Sequence, residues 1–480
     1  MNPNFIQYFK ENFFQNKPEE LDLFLKSLWK TIKKTIRINT NKISVKDFLE
    51  RFSKKWYVLS PTFIPNVFYT ERWEDFTDPE KRLGFSLEHL LGYFYIQELG
   101  ASSSVHYLTE WKIDKNPYLI LDMASSPGWK TTQLAEHYPN SLVIWNEFDK
   151  WRLAQLISNV ERMGSDNIGL TYYNWLFFGK FTETFDRILL DAPCSWEWVG
   201  FKVQNNLKYR NIKNIKKIAS LQSKLLEAAL NSLKIGWEML YSTCTLNKEE
   251  NENVVNWILD KHPECFEIMF EKRFWPHIDN TWGFFVCKIK KLKSINYKIK
   301  DKEITYNTNI KPLNKKESEV LDNFCKNYWL NLKDYILYIF KQEVLAVGNA
   351  DLRSLQILRS LQIQNVIKKF YLIKLGKKIW RIEGDKFVPN FYLGRDFELK
   401  LAPKHEIKDD EELNFYLKGN ELNAVVEIDC HQSLQDSHQS LQRQHEFYQI
   451  KFANENIGLG SINKETGKIR NIFPVQWLRR

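Results

Sequence analysis

Two cysteines sit where a strand should give way to a loop, and each has polar company. Asp191-Ala-Pro-Cys194 follows the apolar run Arg187-Ile-Leu-Leu190, and Ser242-Thr-Cys244 follows Met239-Leu-Tyr241. A thiol beside a carboxylate at a strand end suits nucleophilic or acid–base chemistry, whereas a core cysteine normally lies inside an apolar run. Taken alone, Asp191 to Cys194 reads more readily as a buried structural thiol. A third polar stretch, DMASSPGWK (122–130), is a small-residue loop between a strand and a helix. Such a loop suits a ligand that approaches the backbone closely and is held by amides at a helix start. It has neither G-x-G-x-x-G nor a G-K-[ST] ending, which disfavours a dinucleotide or a nucleoside triphosphate. Glu147, at the end of the next strand, can accept hydrogen bonds from both hydroxyls of a ribose. An adenosine-containing cofactor without a phosphate cradle fits best.

The elements that must position these groups alternate. Strands are predicted at 118–123, 141–147, 168–172, 185–190 and 239–242, and helices at 130–137, 153–163 and about 214–233. That alternation implies an α/β fold with a doubly wound, Rossmann-like parallel sheet, whose ligands gather at the carboxyl ends of the strands. The rule brings together 122–130, Glu147, Asn174, Asp191 to Cys194 and Ser242 to Cys244. Before this domain lie a helical stretch (5–34), a short strand in TIRINTNKIS with Arg37 on one face, and a segment (83–101) whose spacing predicts a helix with Phe94 and Tyr95 on a core-facing stripe. After it come a lysine-rich linker (290–316), two segments with a doubled S-L-Q unit (351–365 and 431–445), read as surface duplications, and a β-rich end (450–480).

Composition narrows the class. The 480 residues exceed one core, so several domains are expected. A formal charge of +10 and 15% aromatic residues favour a polyanionic partner with bases to stack. No run approaches a membrane span and no signal-peptide pattern opens the chain, so a cytoplasmic protein is expected. None of the six cysteines forms a C-x-x-C pair, so neither zinc nor a disulfide framework is signalled.

With these motifs assembled, the chain resembles the Sun/Nop family of RNA cytosine-5 methyltransferases, closest to bacterial 16S-type ribosomal-RNA members with a carboxy-terminal PUA-like domain. The stretches that carry the resemblance are TIRINT, SLEHLLGYFYIQELGAS, DMASSPGWKTTQLA, NEFDKWRLAQLISNVERMG, DAPCS, YSTCTLNKEENE, RFWPH, GFFV and NIFPVQWLRR. The resemblance implies an N-terminal α+β RNA-binding domain (1–112), a methyltransferase domain (113–292), a linker and intermediate domain (293–400) and a β-rich PUA-like region (401–480). It implies S-adenosyl-L-methionine as cofactor, RNA, ribosomal RNA first, as partner, and a monomer without metal.

The chemistry explains why two thiols are needed. Carbon 5 of cytosine is a poor nucleophile, so a thiolate must first add to carbon 6. A carboxyl at ring nitrogen 3 stabilises the developing charge, and a second polar group beside the adduct assists release. The resemblance assigns Cys244 as nucleophile, Cys194 as the release residue, Asp191 as the ring-binding group and Lys130 as the active-site lysine, which would favour a nearby thiolate. DNA cytosine methyltransferases instead use the Pro-Cys thiol, which leaves Cys194 as the alternative nucleophile. Asp122, Ala124, Ser125, Ser126, Pro127, Gly128, Trp129, Lys130, Glu147, Arg152, Asn174 and Asp191 are the expected cofactor contacts, although the family usually has Asp at the position of Asn174. The target base must leave its stack. A transfer-RNA substrate and a catalytically decayed RNA-binding or ribosome-assembly protein are the alternatives.

Six tryptophans stand where the family pattern has glycine, namely Trp129, Trp175, Trp196, Trp198, Trp237 and Trp477. Each is a place where close backbone approach or positive φ favours glycine, and an indole at 129 would fill the cofactor pocket. The chain has 17 Trp and 18 Gly, the latter about 4% against roughly 7% on average. The expectation is that UGA codons read as glycine in the source have been translated here as tryptophan.

Overall fold

The structure is a computed structural model. It describes residues 3–52, 57–72, 82–195, 212–298, 310–348, 353–383, 386–400, 402–423, 447–463, 466–472 and 474. Trp196, Trp198, Trp477 and the second S-L-Q segment lie outside the described residues.

The N-terminal part is a four-stranded sheet ordered β2-β3-β1-β4, made of β1 (Lys34–Ile38), β2 (Tyr57–Pro61), β3 (Val67–Arg72) and β4 (Phe94–Ile96). Phe94 and Tyr95 are buried, but on a strand paired with β1 and not on the expected helix. Pairing with β1 overrides the helical spacing, because three residues extended beside Ile36 to Ile38 bury the same aromatic faces. Arg37 of β1 is fully buried and reaches the helix Trp129–His137, donating to Thr132 Oγ1 (2.8 Å) and lying 3.2 Å from Glu136. The N-terminal sheet therefore grips the helix that carries Trp129 and Lys130.

The central sheet contains β5 (Leu119–Asp122), β6 (Leu142–Asn146), β7 (Ile168–Thr171), β8 (Phe185–Asp191), β9 (Leu233–Thr243), β10 (Phe266–Phe274) and β11 (Phe284–Lys291). Its order is β10-β11-β9-β8-β5-β6-β7, with β9 to β7 parallel and β10 and β11 antiparallel. The near-continuous apolar strands have the composition of a sheet covered on both faces. Alternate residues face opposite sides: Leu121, Ile144, Ile188 and Met239 share one core, while Ile120, Val143, Leu189 and Leu240 share the other. Each such fully buried side chain contributes about 1.5–3 kcal/mol. Strand order reverses at β5, so the crevice outside its carboxyl end, between β8 and β6, is where this architecture places a ligand.

Local chemistry sets the flanking helices. Lys150–Met163 has Leu153, Leu156, Ile157 and Val160 at helical spacing. The Asp149 carboxylate accepts from Trp151 N (2.8 Å) at its start, and Gly164 at φ 79° ends it, a conformation glycine adopts without steric cost.

The chain beyond 309 is not a separate appendage. β12 (Ile310–Pro312), β13 (Tyr335–Phe340), β14 (Glu343–Gly348), β16 (Lys377–Glu383) and β17 (Lys386–Pro389) form a five-stranded sheet, and β18 (Lys404–Ile407), β19 (Phe447–Phe452), β20 (Glu455–Ile462) and β21 (Ile469–Asn471) form a β-rich end. Between β14 and β16, β15 (Leu372–Leu375) leaves to pair antiparallel with β7, covering the edge of the central sheet. The first S-L-Q segment enters the helix Arg353–Lys369, which buries Ile363 and Val366 in the central core, so this duplication is not purely a surface feature. A buried ion cluster joins the three parts: Asp396 lies 2.7 Å from Arg395, 3.5 Å from Lys377 and 3.7 Å from Lys42 of the N-terminal part, and Lys377 lies 3.7 Å from Asp166 of the central part. Those cations hold the Asp396 carboxyl far below its ordinary range despite burial.

Candidate active site

The register of β8 and β9 builds the site. Asp191, the last residue of β8, lies opposite Ser242 of β9, whose Oγ donates to Asp191 Oδ1 (2.7 Å). Ala192 N donates to Ser242 O (2.9 Å), so the two chains leave the sheet together. Three residues past Asp191 and two past Ser242, Cys194 and Cys244 meet as free thiols with their Sγ atoms 2.6 Å apart. Lys130, in the first turn of its helix, is buried and ion-paired with Asp191, and its Nζ lies 4.7 Å from the centre of the Phe284 ring.

These groups open onto a cavity of about 660 Å³. Of the expected residues, Ala124, Ser126, Pro127, Trp129, Lys130, Arg152, Asp191, Cys194 and Cys244 form its wall. Asp122, Ser125, Gly128, Glu147 and Asn174 do not. Asp122 and Ser125 shape the loop from behind: Ser125 Oγ donates to Asp122 O (2.8 Å) and accepts from Asn146 N (2.9 Å). Gly128 turns it at φ 104°. Glu147 is buried and accepts from Asp149 N (2.8 Å), 3.9 Å from Arg152. Asn174 is exposed and its side chain caps the 3-10 turn Trp175–Lys180.

Electrostatics distinguish the titratable groups. The Cys244 thiol is pushed well above its ordinary value, first by its hydrogen bond with Cys194 and then by burial; Asp191 adds to the effect, and Lys130 only partly opposes it. Lys130 does pull the thiol down, as expected of it, but the Cys194 hydrogen bond, burial and Asp191 together outweigh that pull. Burial raises Asp122 to about 7, against the hydrogen bond from Thr131 Oγ1 (2.6 Å). Its other oxygen, and the buried Ser126 Oγ, have no hydrogen-bond partner. Two orphaned acceptors beside a polar loop and a cavity suit a ligand with donors of its own, as an amino-acid-bearing nucleoside has. Among the described residues no cluster of His, Cys, Asp and Glu could hold a metal ion.

The tryptophans divide. Trp129 and Trp175 stand in the cavity wall, and the indole at 129 leaves about 660 Å³ open instead of filling it. None of Trp129, Trp175 and Trp237 has positive φ, since they lie in a helix, a 3-10 turn and a strand, which leaves close backbone approach as the expected reason for glycine there. Positive φ occurs instead at Trp111 (65°) and Trp329 (50°), the latter capping the helix Lys315–Tyr328. The sequence pattern did not mark either. It also did not mark Glu98, whose carboxylate accepts from Ala101 N (2.9 Å) and Trp282 N (3.1 Å) in the cavity wall. An acid just before a helix was the available signal.

Two parts of the chain match known protein families. Residues 112–290 match 16S rRNA methyltransferase RsmB/F, and residues 1–99 match the N-terminal domain of 16S rRNA methyltransferase RsmF. The ribosomal RNA small subunit methyltransferase F of Shewanella piezotolerans is 36% identical over 315 residues, covering 61% of this chain and 65% of that protein. That of Escherichia coli O139:H28 is 36% identical over 313 residues, covering 60% and 64%. The match thus spans just under two thirds of these relatives. A solved methyltransferase homolog protein from Pyrococcus horikoshii superposes with a TM-score of 0.50 at 28% identity, covering 61% of this chain and 100% of that one. Residues 1–99 and 112–290 of this chain are thus similar to the two domains of the RsmB/F 16S rRNA methyltransferases.

Proposed function

We propose that the chain is an S-adenosylmethionine-dependent RNA cytosine-5 methyltransferase acting on ribosomal RNA. The observation that carries this reading is the contact of Cys194 and Cys244 beside the Lys130–Asp191 pair. Cys244 gives its proton to Asp191, held by Lys130 and Ser242, and its sulfur bonds to carbon 6 of a flipped cytosine while Asp191 passes the proton to ring nitrogen 3. The cofactor supplies an electrophilic methyl group for carbon 5. The carbon-5 proton then passes to water, its electron pair re-forms the ring double bond, the sulfur–carbon 6 bond breaks with its pair on the Cys244 sulfur, and nitrogen 3 returns its proton to Asp191, with Cys194 assisting the release. Ala124, Ser126, Pro127 and Arg152 in the cavity wall would hold the cofactor, with Asp122, Ser125, Gly128, Glu147 and Asn174 shaping its surroundings. The flanking regions, 1–112 and 293–480 with a PUA-like end at 401–480, would address the RNA, and a cytoplasmic monomer fits this work.

The test uses ribosomal RNA and cofactor labelled in its methyl group. Label on carbon 5 of cytosine is expected, Cys194→Ala should accumulate a covalent protein–RNA adduct, and Cys244→Ala should form none. The opposite pattern would make Cys194 the nucleophile. The indoles of Trp129 and Trp175 in the wall favour a second reading, a non-catalytic RNA-binding protein. Against it stands the survival of Lys130, Asp191, Cys194 and Cys244, which is why we read glycine at Trp129, Trp175, Trp196, Trp198, Trp237 and Trp477 in the native protein. Tryptophan in native peptides covering 129 and 175 would sink that reading.

A further inference from the structure

We propose that Glu250 is the positioning residue that fixes the spacing of the two thiols; this rests on the two-thiol reaction above. Glu250 is fully buried, six residues past Cys244, and touches neither sulfur directly. Its carboxylate gathers donors from both cysteine loops. Oε2 accepts from Ser195 N (2.9 Å) and from Gln222 Nε2 (3.0 Å), and Oε1 accepts from Ser195 Oγ and from Asn247 Nδ2 (2.8 Å). Ser195 follows Cys194, and Asn247 lies three residues after Cys244, so one carboxylate ties the two loops together. Gln222 strengthens the tie by also donating to Pro193 O (2.9 Å), the carbonyl just before Cys194. The backbone of Glu250 is anchored in turn, its N donating to Asn247 Oδ1 (2.8 Å) and its carbonyl accepting from Tyr241 O–H (2.6 Å).

Two features distinguish this from ordinary loop packing. Four donors fill the acceptor capacity of a carboxylate, two at each oxygen, so no isosteric replacement satisfies all of them. Glutamine would put an N–H₂ against two of these donors. Further, β8 and β9 fix Asp191 against Ser242, but nothing in the sheet register reaches Cys194 or Cys244, which lie beyond the paired residues. The adjacent ring carbons attacked by one thiol and served by the other require those sulfurs to stay neighbours while a base enters, and Glu250 is the link that keeps them so.

The spacing is measurable without RNA or cofactor, so its failure is distinguishable from failure of the proposed activity. The purified full-length protein is equilibrated in buffers of reduced and oxidised glutathione. The Cys194–Cys244 disulfide is quantified by mass spectrometry of trapped peptides, and the equilibrium constant gives the effective concentration of one thiol at the other. Glu250→Gln should lower that constant roughly tenfold, the factor carried by about one charge-assisted hydrogen bond. Ser195→Ala and Asn247→Ala, each removing one arm, should lower it less. Near-UV circular dichroism and thermal melting report the fold, and if Glu250→Gln does not fold, the single-arm variants decide. Folded variants that melt lower but keep the wild-type constant would overturn the proposal and leave Glu250 a stabilising residue only.

Discussion

Opening the cavity wall at the two indoles should reveal the cofactor site. Trp129 and Trp175 are half-buried, and a tryptophan buries about 150–250 Å² in full, so each indole shields on the order of 100 Å². At about 25 cal/mol per Å², moving one indole aside for a ligand costs roughly 2.5 kcal/mol. Replacing both by glycine removes that cost before binding, and an increase in affinity of about 10- to 100-fold per site follows. The same area is lost from the folded protein, and glycine within the helix Trp129–His137 adds up to about 1 kcal/mol, so the double variant should melt lower. Isothermal titration of S-adenosylmethionine and S-adenosylhomocysteine into the tryptophan form and into Trp129→Gly/Trp175→Gly, at a temperature where both are folded, measures the difference. A folded double variant that binds no more tightly than the tryptophan form would refute the occlusion argument. Equal, tight binding by both would show that the indoles belong to the native wall.

Three further outcomes follow from particular contacts. Cys194→Ala removes the largest cause of the raised Cys244 thiol, so alkylation of Cys244 by iodoacetamide near pH 8 should speed up, and an unchanged rate would contradict the assigned cause. Asp122 is raised in the folded protein, so the folded state binds more protons than the unfolded one between about pH 4 and 7 and loses stability as pH rises through that window. Asp122→Asn should flatten this fall and, by a few kcal/mol at most, stabilise the protein at pH 8, read from urea melts across pH. Lys374 of β15 is buried against Glu161, so Lys374→Met removes the cation of a buried pair, leaving the carboxylate its hydrogen bond from the Tyr392 hydroxyl (2.7 Å), and should cost about 3–5 kcal/mol in the same assay. A loss below about 1 kcal/mol would mean that β15 does not clamp the catalytic sheet as its pairing implies.

The apolar runs at 119–122, 142–146, 168–171 and 185–191 determined the parallel sheet by themselves, because a strand covered on both faces needs little beyond hydrophobicity and a polar stop. Those stops, Asp191 to Cys194 and Ser242 to Cys244, also marked the candidate site, since the side chains at strand ends are local facts. What the sequence could not carry were pairings between distant segments. β4 emerged from a helical pattern because β1 was waiting for a partner, and β15 left its own region to cover β7. The state of Cys244 was likewise decided in three dimensions: Lys130 is close enough to favour a thiolate, yet Asp191 matches its charge and Cys194 and burial hold the proton. Glu250, anonymous within a run of acids, became the tie between two loops only when the fold closed four donors around it. Such effects depend on burial and on what lies opposite, and neither is a property of neighbouring letters.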